Sequence, residues 1–258
     1  MTIEEDIQAW MRRILALAPG LAEGTLQRWP TIKAVRSWPD GDIDCARIAD
    51  YAGVAYADRN RKIWDQLSDL VLHCGMHEAP ADLFPLSFTP VHQTTVLMAR
   101  NRWDLAGIVA DVALSRKPGR NVDPNAADMI ISRAVLFAVQ GRQTEAQSTL
   151  GKLTALLERR RISRNQADYY ATMIPLVAAF NRGSWDEFNT ECSRSTDERA
   201  ANVRRKIERS KRSEYLELDG FDYLNFPLAT LLFSAQRRGA LINETSDFAN
   251  IRWMRGDA

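Results

Sequence analysis

Residues 125–157 read NAADMIISRAVLFAVQGRQTEAQSTLGKLTALL: an apolar stretch, a tight Gly141-Arg142-Gln143 turn, and a second apolar stretch. In the first, Ala127, Ile130, Ala134, Phe137 and Ala138 recur at helical spacing, and Ala146, Leu150, Leu153 and Leu157 form the matching stripe in the second. Small alanines at these positions let two helices approach closely, so the stretch predicts an α-hairpin. Its turn is repeated. Asn101 stands 40 residues before Gly141 and Gly183 stands 42 after it, each following an apolar run and preceding another. Gly or Asn suits the position just past a helix, where the backbone turns left-handed and a Cβ is costly. Asp104, Thr144 and Asp186 are expected to cap the next helix through their side-chain oxygens. Such periodicity is that of stacked helical hairpins.

Trp103 and Trp185 follow two of these turns and are expected to fold beneath them. Together with Ala106, Ala146 and the turn glycines, these residues resemble the Gly-x-Tyr/Trp-x-x-Ala turn of tetratricopeptide-like hairpins. The fold class expected is therefore all-α, a tetratricopeptide-like α/α superhelix or bundle. Three unrelated helix pairs are the plainer alternative, because Gly-x-x-Asp turns are common.

Outside the hairpins, helical patterning continues and strand patterning is missing. Thr2 with Glu5 forms a capping box ahead of Ile7, Trp10, Met11, Ile14 and Leu15, in a helix expected to stop at Pro19-Gly20. A second stretch over 21–38 is interrupted by Pro30. Residues 43–76 predict one or two helices bent near Gly53. Residues 78–90, with Pro80, Pro85 and Pro90, predict a crossing segment. The helix before Gly183 is apolar nearly all round and carries Pro175, which should kink it. Residues 196–213 hold seven basic and three acidic side chains and predict an exposed helix or extension. An amphipathic helix through Leu228, Leu231, Leu232 and Ala235 closes the pattern at Gly239. The organisation expected is one all-α domain over 1–258, with an N-terminal part at 1–90, hairpin repeats at 91–195, and the charged extension and last helix at 196–258.

Composition sets bounds on function. The 258 residues include 34 Lys+Arg against 33 Asp+Glu, a net charge of +1, so no global field draws the chain to nucleic acid or an anionic membrane. Three unpaired-looking cysteines, Cys45, Cys74 and Cys192, favour a reducing compartment. The acidic start Glu4-Glu5-Asp6 does not suit a secretory signal, and no run is long enough for a membrane span, so a cytoplasmic protein is expected.

Candidate chemistry is sparse. His73 and His77 lie four apart and, with Cys74 or His92, have the residue types of a metal site, yet Gly75 and the prolines beyond suggest a helix end whose histidines complement the dipole. A Cys74 nucleophile lacks an accompanying oxyanion motif, and Asp40-Gly41-Asp42-Ile43-Asp44 lacks the remaining calcium ligands. Phosphate-binding loops, zinc-protease motifs and nucleophile elbows are all missing from the sequence. The expectation is no enzyme, no metal, no cofactor and no small-molecule substrate. Two basic clusters remain, Arg159-Arg160-Arg161 with Arg164, and Arg204-Arg205-Lys206 with Arg209, Lys211 and Arg212. Each suits a solvated face first, a partner's acidic surface next and a phosphate backbone least.

The order of parts resembles the immunity protein 49 family of bacterial polymorphic toxin systems. The residues carrying the resemblance are the Ala-rich stretch from Ala46 to Ala57, the Gly141-Arg142-Gln143 hairpin, and Leu216-Glu217-Leu218-Asp219 with Phe221-Asp222 before an apolar helix ending Arg237-Arg238-Gly239. This resemblance implies an antitoxin that binds and neutralises a cognate secreted toxin. A tetratricopeptide-like adaptor or regulatory scaffold is the alternative. Arg204, Arg205, Lys206, Arg209, Tyr215 and Tyr223 break the repeat pattern without an evident core role and are the expected partner-binding residues.

Overall fold

The structure, a computed structural model, describes residues 2–32, 41–76, 89–115, 126–159, 162, 164–213, 215–242 and 246–256, with side chains at all of these except 25, 26, 28–32, 41–46, 73–76, 89, 164 and 165. Among the described residues all regular structure is helical. The helices are α1 (Ile3–Ile32), α2 (Gly41–Ala57), α3 (Arg61–Met76), α4 (Thr89–Ala99), α5 (Trp103–Ser115), α6 (Ala127–Val139), α7 (Gln143–Glu158), α8 (Arg164–Arg182), α9 (Trp185–Ser210), α10 (Gly220–Tyr223), α11 (Phe226–Arg237) and α12 (Ile251–Arg255). The chain divides into two compact units, one of residues 1–83 and 200–225, the other of 84–199 and 226–258. The stretch 196–258, read above as one part, is thus shared between both units.

The three expected turns share one geometry. Asn101, Gly141 and Gly183 have φ of 57°, 74° and 69°. In each, the turn residue's N–H donates to the carbonyl three residues back and the next N–H to the carbonyl five back: Gly141 to Ala138 at 3.1 Å and Arg142 to Phe137 at 2.9 Å, for example. That is the Schellman termination, which satisfies the last carbonyls of the helix. The turn uses only two or three residues before the next helix begins, so Asp104, Thr144 and Asp186 lie at the second helical position of α5, α7 and α9 and are not the caps expected of them. The α7 N-cap is Arg142, without a side-chain cap bond. A fourth copy of the termination stands at Arg59, φ 53°, 42 residues before Asn101, where α2 ends and α3 begins. Its bonds are Arg59 N–H to Tyr56 at 3.2 Å and Asn60 N–H to Ala55 at 2.8 Å. Here the next helix is capped, the Asn60 Oδ1 accepting from the Ile63 N–H at 3.2 Å.

In the first unit, α1 packs on α2 and α3, and α2 on α3 and α10. The Thr2–Glu5 capping box forms as expected, at 2.6 and 3.3 Å. The helix does not stop at Pro19-Gly20, however, but continues to Ile32. Its inward stripe, Ile7, Met11, Leu15, Ala18 and Ala22, crosses the proline without a break, and that burial offsets the hydrogen bond Pro19 removes. Likewise α2 continues unbroken past Gly53 to Ala57. Trp64, Tyr56, Leu67 and Leu70 form the centre of this unit's core.

In the second unit, the hairpins α4–α5 and α6–α7 stack with α8, and α11 packs on α4, α6 and α8. Every residue of α11 from Phe226 to Ala235 is buried, so the helix expected to be amphipathic is the central rod of this unit. The Thr95 and Thr230 hydroxyls, 2.6 Å apart, join α4 to α11, with Thr95 also donating to the Val91 carbonyl at 2.8 Å. Gln143 and Asn181 exchange side-chain-to-backbone bonds of 2.9 and 3.0 Å between the start of α7 and the end of α8. Trp185 is half-buried and meets Phe180 and Phe188 edge-on, at 6.0 and 6.1 Å. The expected crossing segment lies outside the described residues apart from the last two of its positions, which begin α4.

Candidate functional site

The last turns of α9, from residue 200 onward, belong to the first unit and carry most of the expected partner-binding residues. Their two faces behave differently. On the inner face, Lys206 Nζ lies 2.7 Å from both carboxylate oxygens of Asp222, whose side chain is 4% exposed. Asp222 also closes a capping box on α10: its Oδ2 accepts from the Asp219 N–H at 3.0 Å while Asp219 Oδ1 accepts from the Asp222 N–H at 3.1 Å. One residue on, the Gly220 N–H donates to Asp50 Oδ1 of α2 at 2.5 Å. Burial holds the Asp50 carboxyl above the usual carboxylate range, and the negative charges of Asp219 and Asp222 add to it, against the lowering effect of the Gly220 bond.

This seam needs its glycines. A Cβ on Gly53 would run into the backbone of Gly220, and one on Gly220 into the Asp50 carbonyl, so the two elements touch backbone to backbone. Tyr223 packs beside Trp10, ring centroids 6.4 Å apart, and burial together with the Asp222 charge pushes its phenol up to about 12. Lys206 and Tyr223 are therefore held by the fold.

The outer face is different. Arg204, Arg205, Arg209, Lys211 and Arg212 are exposed, and Arg205 and Arg209, four apart, are neighbours on the helix surface. Arg209 pairs with Glu217 at 3.2 Å, with 47% and 39% of the two side chains exposed, and Lys211 pairs with Glu208 at 2.8 Å. Such exposed pairs are weak and open readily for a better partner. Tyr215, 77% exposed, projects from the turn that follows. An exposed tyrosine among arginines is the residue mixture enriched at protein interfaces.

The second unit offers a cleft of about 370 Å³ lined from α4, α5, α6 and α11. Trp103 Nε1 donates to Asn101 Oδ1 at 2.9 Å, which fixes the indole at its turn, and the Arg237 guanidinium lies over that ring, 4.4 Å from its centroid. Arg238 donates to the Ala138 and Val139 carbonyls at 2.9 and 3.3 Å, capping the end of α6, and lies over Phe180 at 4.5 Å. Burial pulls the Arg238 pKa down. Gln140 spends its amide N–H on the Gly107 carbonyl at 2.9 Å. Nothing local in the sequence joins Trp103 to Arg237, 134 residues on, which is why the pair is absent from the expected residues. A wider groove between α8 and α9, about 590 Å³, is lined by Asp168, Asp197 and Glu198 against Arg194.

Of the expected metal residues, the side chains of His73 and Cys74 and the whole of His77 lie outside the described residues. His92 is buried against Phe226, ring centroids 4.1 Å apart, and desolvation lowers its pKa to about 3. Of the basic cluster near 160, Arg160 and Arg161 and the side chain of Arg164 lie outside the described residues too, and Arg159 is exposed. Cys192 is a buried free thiol, its pKa pushed up to about 12 by burial. Among the described residues no helix is long and apolar enough to cross a membrane. Searches of protein-family models, curated proteins and solved structures find no match to the chain.

Proposed function

We propose that the chain is a binding protein that neutralises a cognate secreted toxin, with the outer face of α9 as its contact surface. The observation that carries this reading is the contrast along the end of α9: Lys206 is pinned to the buried Asp222, whereas Arg204, Arg205 and Arg209 stay exposed. A helix held rigidly on one side presents the charges on its other side at little entropic cost. Stacked helical hairpins add support, since each repeat contributes side chains to a continuous surface suited to a protein partner. The toxin as partner comes from the resemblance of the turn and C-terminal motifs to the immunity proteins. On this reading no catalytic residue, cofactor, metal, nucleic acid or membrane takes part. The test is co-expression with the toxin that this reading expects a neighbouring gene to encode. Simultaneous Arg204→Glu, Arg205→Glu and Arg209→Glu changes should abolish protection while thermal unfolding stays as in the parent. Full protection by the triple variant would move the contact elsewhere.

A further inference from the structure

A second surface, in the other unit, has its own chemistry and does not depend on the toxin reading. The Arg237 guanidinium lies over the Trp103 ring, its carbon 4.4 Å from the ring centroid, and that ring is itself tied to Asn101 at 2.9 Å. A guanidinium carries its N–H donors around its rim, so one held over an aromatic face keeps donors for a second partner, and among the described residues those of Arg237 make no side-chain hydrogen bond. Among the described residues no carboxylate pairs with Arg237, and none lines the cleft. Beside it Arg238 is committed to the carbonyls that end α6, so its charge is retained but its donors are used.

The cleft therefore holds two cations with no counter-charge, one locked and one with its donor fork available. Elsewhere on the surface arginines sit against acids: Arg102 on Asp104 at 2.9 Å, Arg142 on Glu145 at 2.8 Å, Arg182 on Glu187 at 2.6 Å. The other lining groups select against a small, strongly hydrated ion. Ala106, Ala110, Val139 and Met98 present apolar surface beside the cations, and the Ser234 hydroxyl is turned to the Met98 sulfur at 3.8 Å. A ligand that fits both halves carries a carboxylate on an apolar stem.

We propose that this cleft is a docking site for a peptide segment bearing Asp or Glu, whose side-chain carboxylate is received by Arg237 in a two-point bond, with Trp103 as the platform and Arg238 as a fixed background charge. A planar fork on a planar carboxylate supplies orientation as well as attraction. Charge complementarity selects an acidic segment over a basic or neutral one, and the modest volume selects a short stretch of chain over a folded domain.

Fluorescence anisotropy of the full chain with a fluorescein-labelled octapeptide of Glu, Asp and Gly tests this. The peptide is used with a free and with an amidated C-terminus, beside a Gln/Asn counterpart. Both acidic forms should bind, because side-chain carboxylates are the ligand. The amidated Gln/Asn counterpart should bind at least tenfold more weakly than the amidated acidic form. Arg237→Glu should weaken binding tenfold or more and Arg237→Lys several-fold, because lysine keeps the charge and loses the fork. The Arg204→Glu, Arg205→Glu, Arg209→Glu variant should bind as the parent does, which separates this site from the α9 face. Thermal unfolding of each variant confirms that it is folded. Three results would overturn the proposal: no binding of the amidated acidic form, unchanged binding by folded Arg237→Glu, or loss of binding in the α9 triple variant instead.

Discussion

At the residue scale, the consequences of burying charge dominate. Asp222 is almost wholly removed from water, and both its oxygens are met by the Lys206 ammonium at 2.7 Å. Removing one partner of such a pair strands the other, at a cost of about 3–5 kcal/mol. Lys206→Met should lower stability to urea by about that amount, and a shift in unfolding midpoint too small to measure would mean that solvent reaches Asp222. Two further groups act in opposite directions with pH. His92, at about 3 in the folded chain against 6.5 ordinarily, stays neutral while its unfolded counterpart gains a proton. Its contribution is therefore present above the unfolded value and lost as pH falls below it, about 1.4 kcal/mol per unit. Asp50 has its pKa raised, so its contribution is present at acid pH and lost as pH rises through the folded value. Unfolding curves between pH 7 and pH 4 should show His92→Leu losing the acid-side slope. Asp50→Asn, which keeps the acceptor for Gly220, should exceed the parent in stability at pH 7, with the gain shrinking toward pH 4. Parallel curves for parent and variants would contradict both assignments.

At the element scale, what was legible in the sequence is what local backbone chemistry decides. The turns at Asn101, Gly141 and Gly183 could be read because a left-handed residue favours Gly or Asn and the spacing repeated. The fourth, at Arg59, could not, since an arginine carries no such signal; its guanidinium lies over the Tyr56 ring at 4.7 Å. The continuation of α1 past Pro19 depends on a buried stripe that only tertiary packing completes, and the burial of α11 on all sides depends on neighbours distant in sequence. Gly53 is the sharpest instance. Read alone it suggests a bend, yet in the fold it marks the place where α2 accepts the backbone of Gly220. Gly53→Ala should therefore destabilise by about 3 kcal/mol, the upper range for overpacking, although alanine is the better helix former by about 1 kcal/mol. An equal or more stable Gly53→Ala protein would show that α10 does not seat there.

At the scale of the whole molecule, the same stretch of chain serves fold and surface. Sequence reasoning placed six anchors in residues 204–223 from their departure from the repeat. The structure holds Lys206 and Tyr223 in the α2–α10 seam and leaves Arg204, Arg205, Arg209 and Tyr215 outside. Spacing alone could not separate these groups, because the acceptor that claims Lys206 sits in a segment with no periodicity of its own. If the outer face is the contact surface, its exposed charges mainly accelerate encounter, and the complex should form more slowly as salt rises. Neutralising a secreted toxin requires that almost none remain free, which asks for nanomolar binding or tighter, about −12 kcal/mol. Titration calorimetry of the purified chain against the cognate toxin domain that the proposal calls for, made catalytically inert, tests this directly. A one-to-one complex with nanomolar or lower Kd is expected, weakened at least a hundredfold by the Arg204, Arg205 and Arg209 reversal; absence of a complex at micromolar concentrations of both proteins would contradict it.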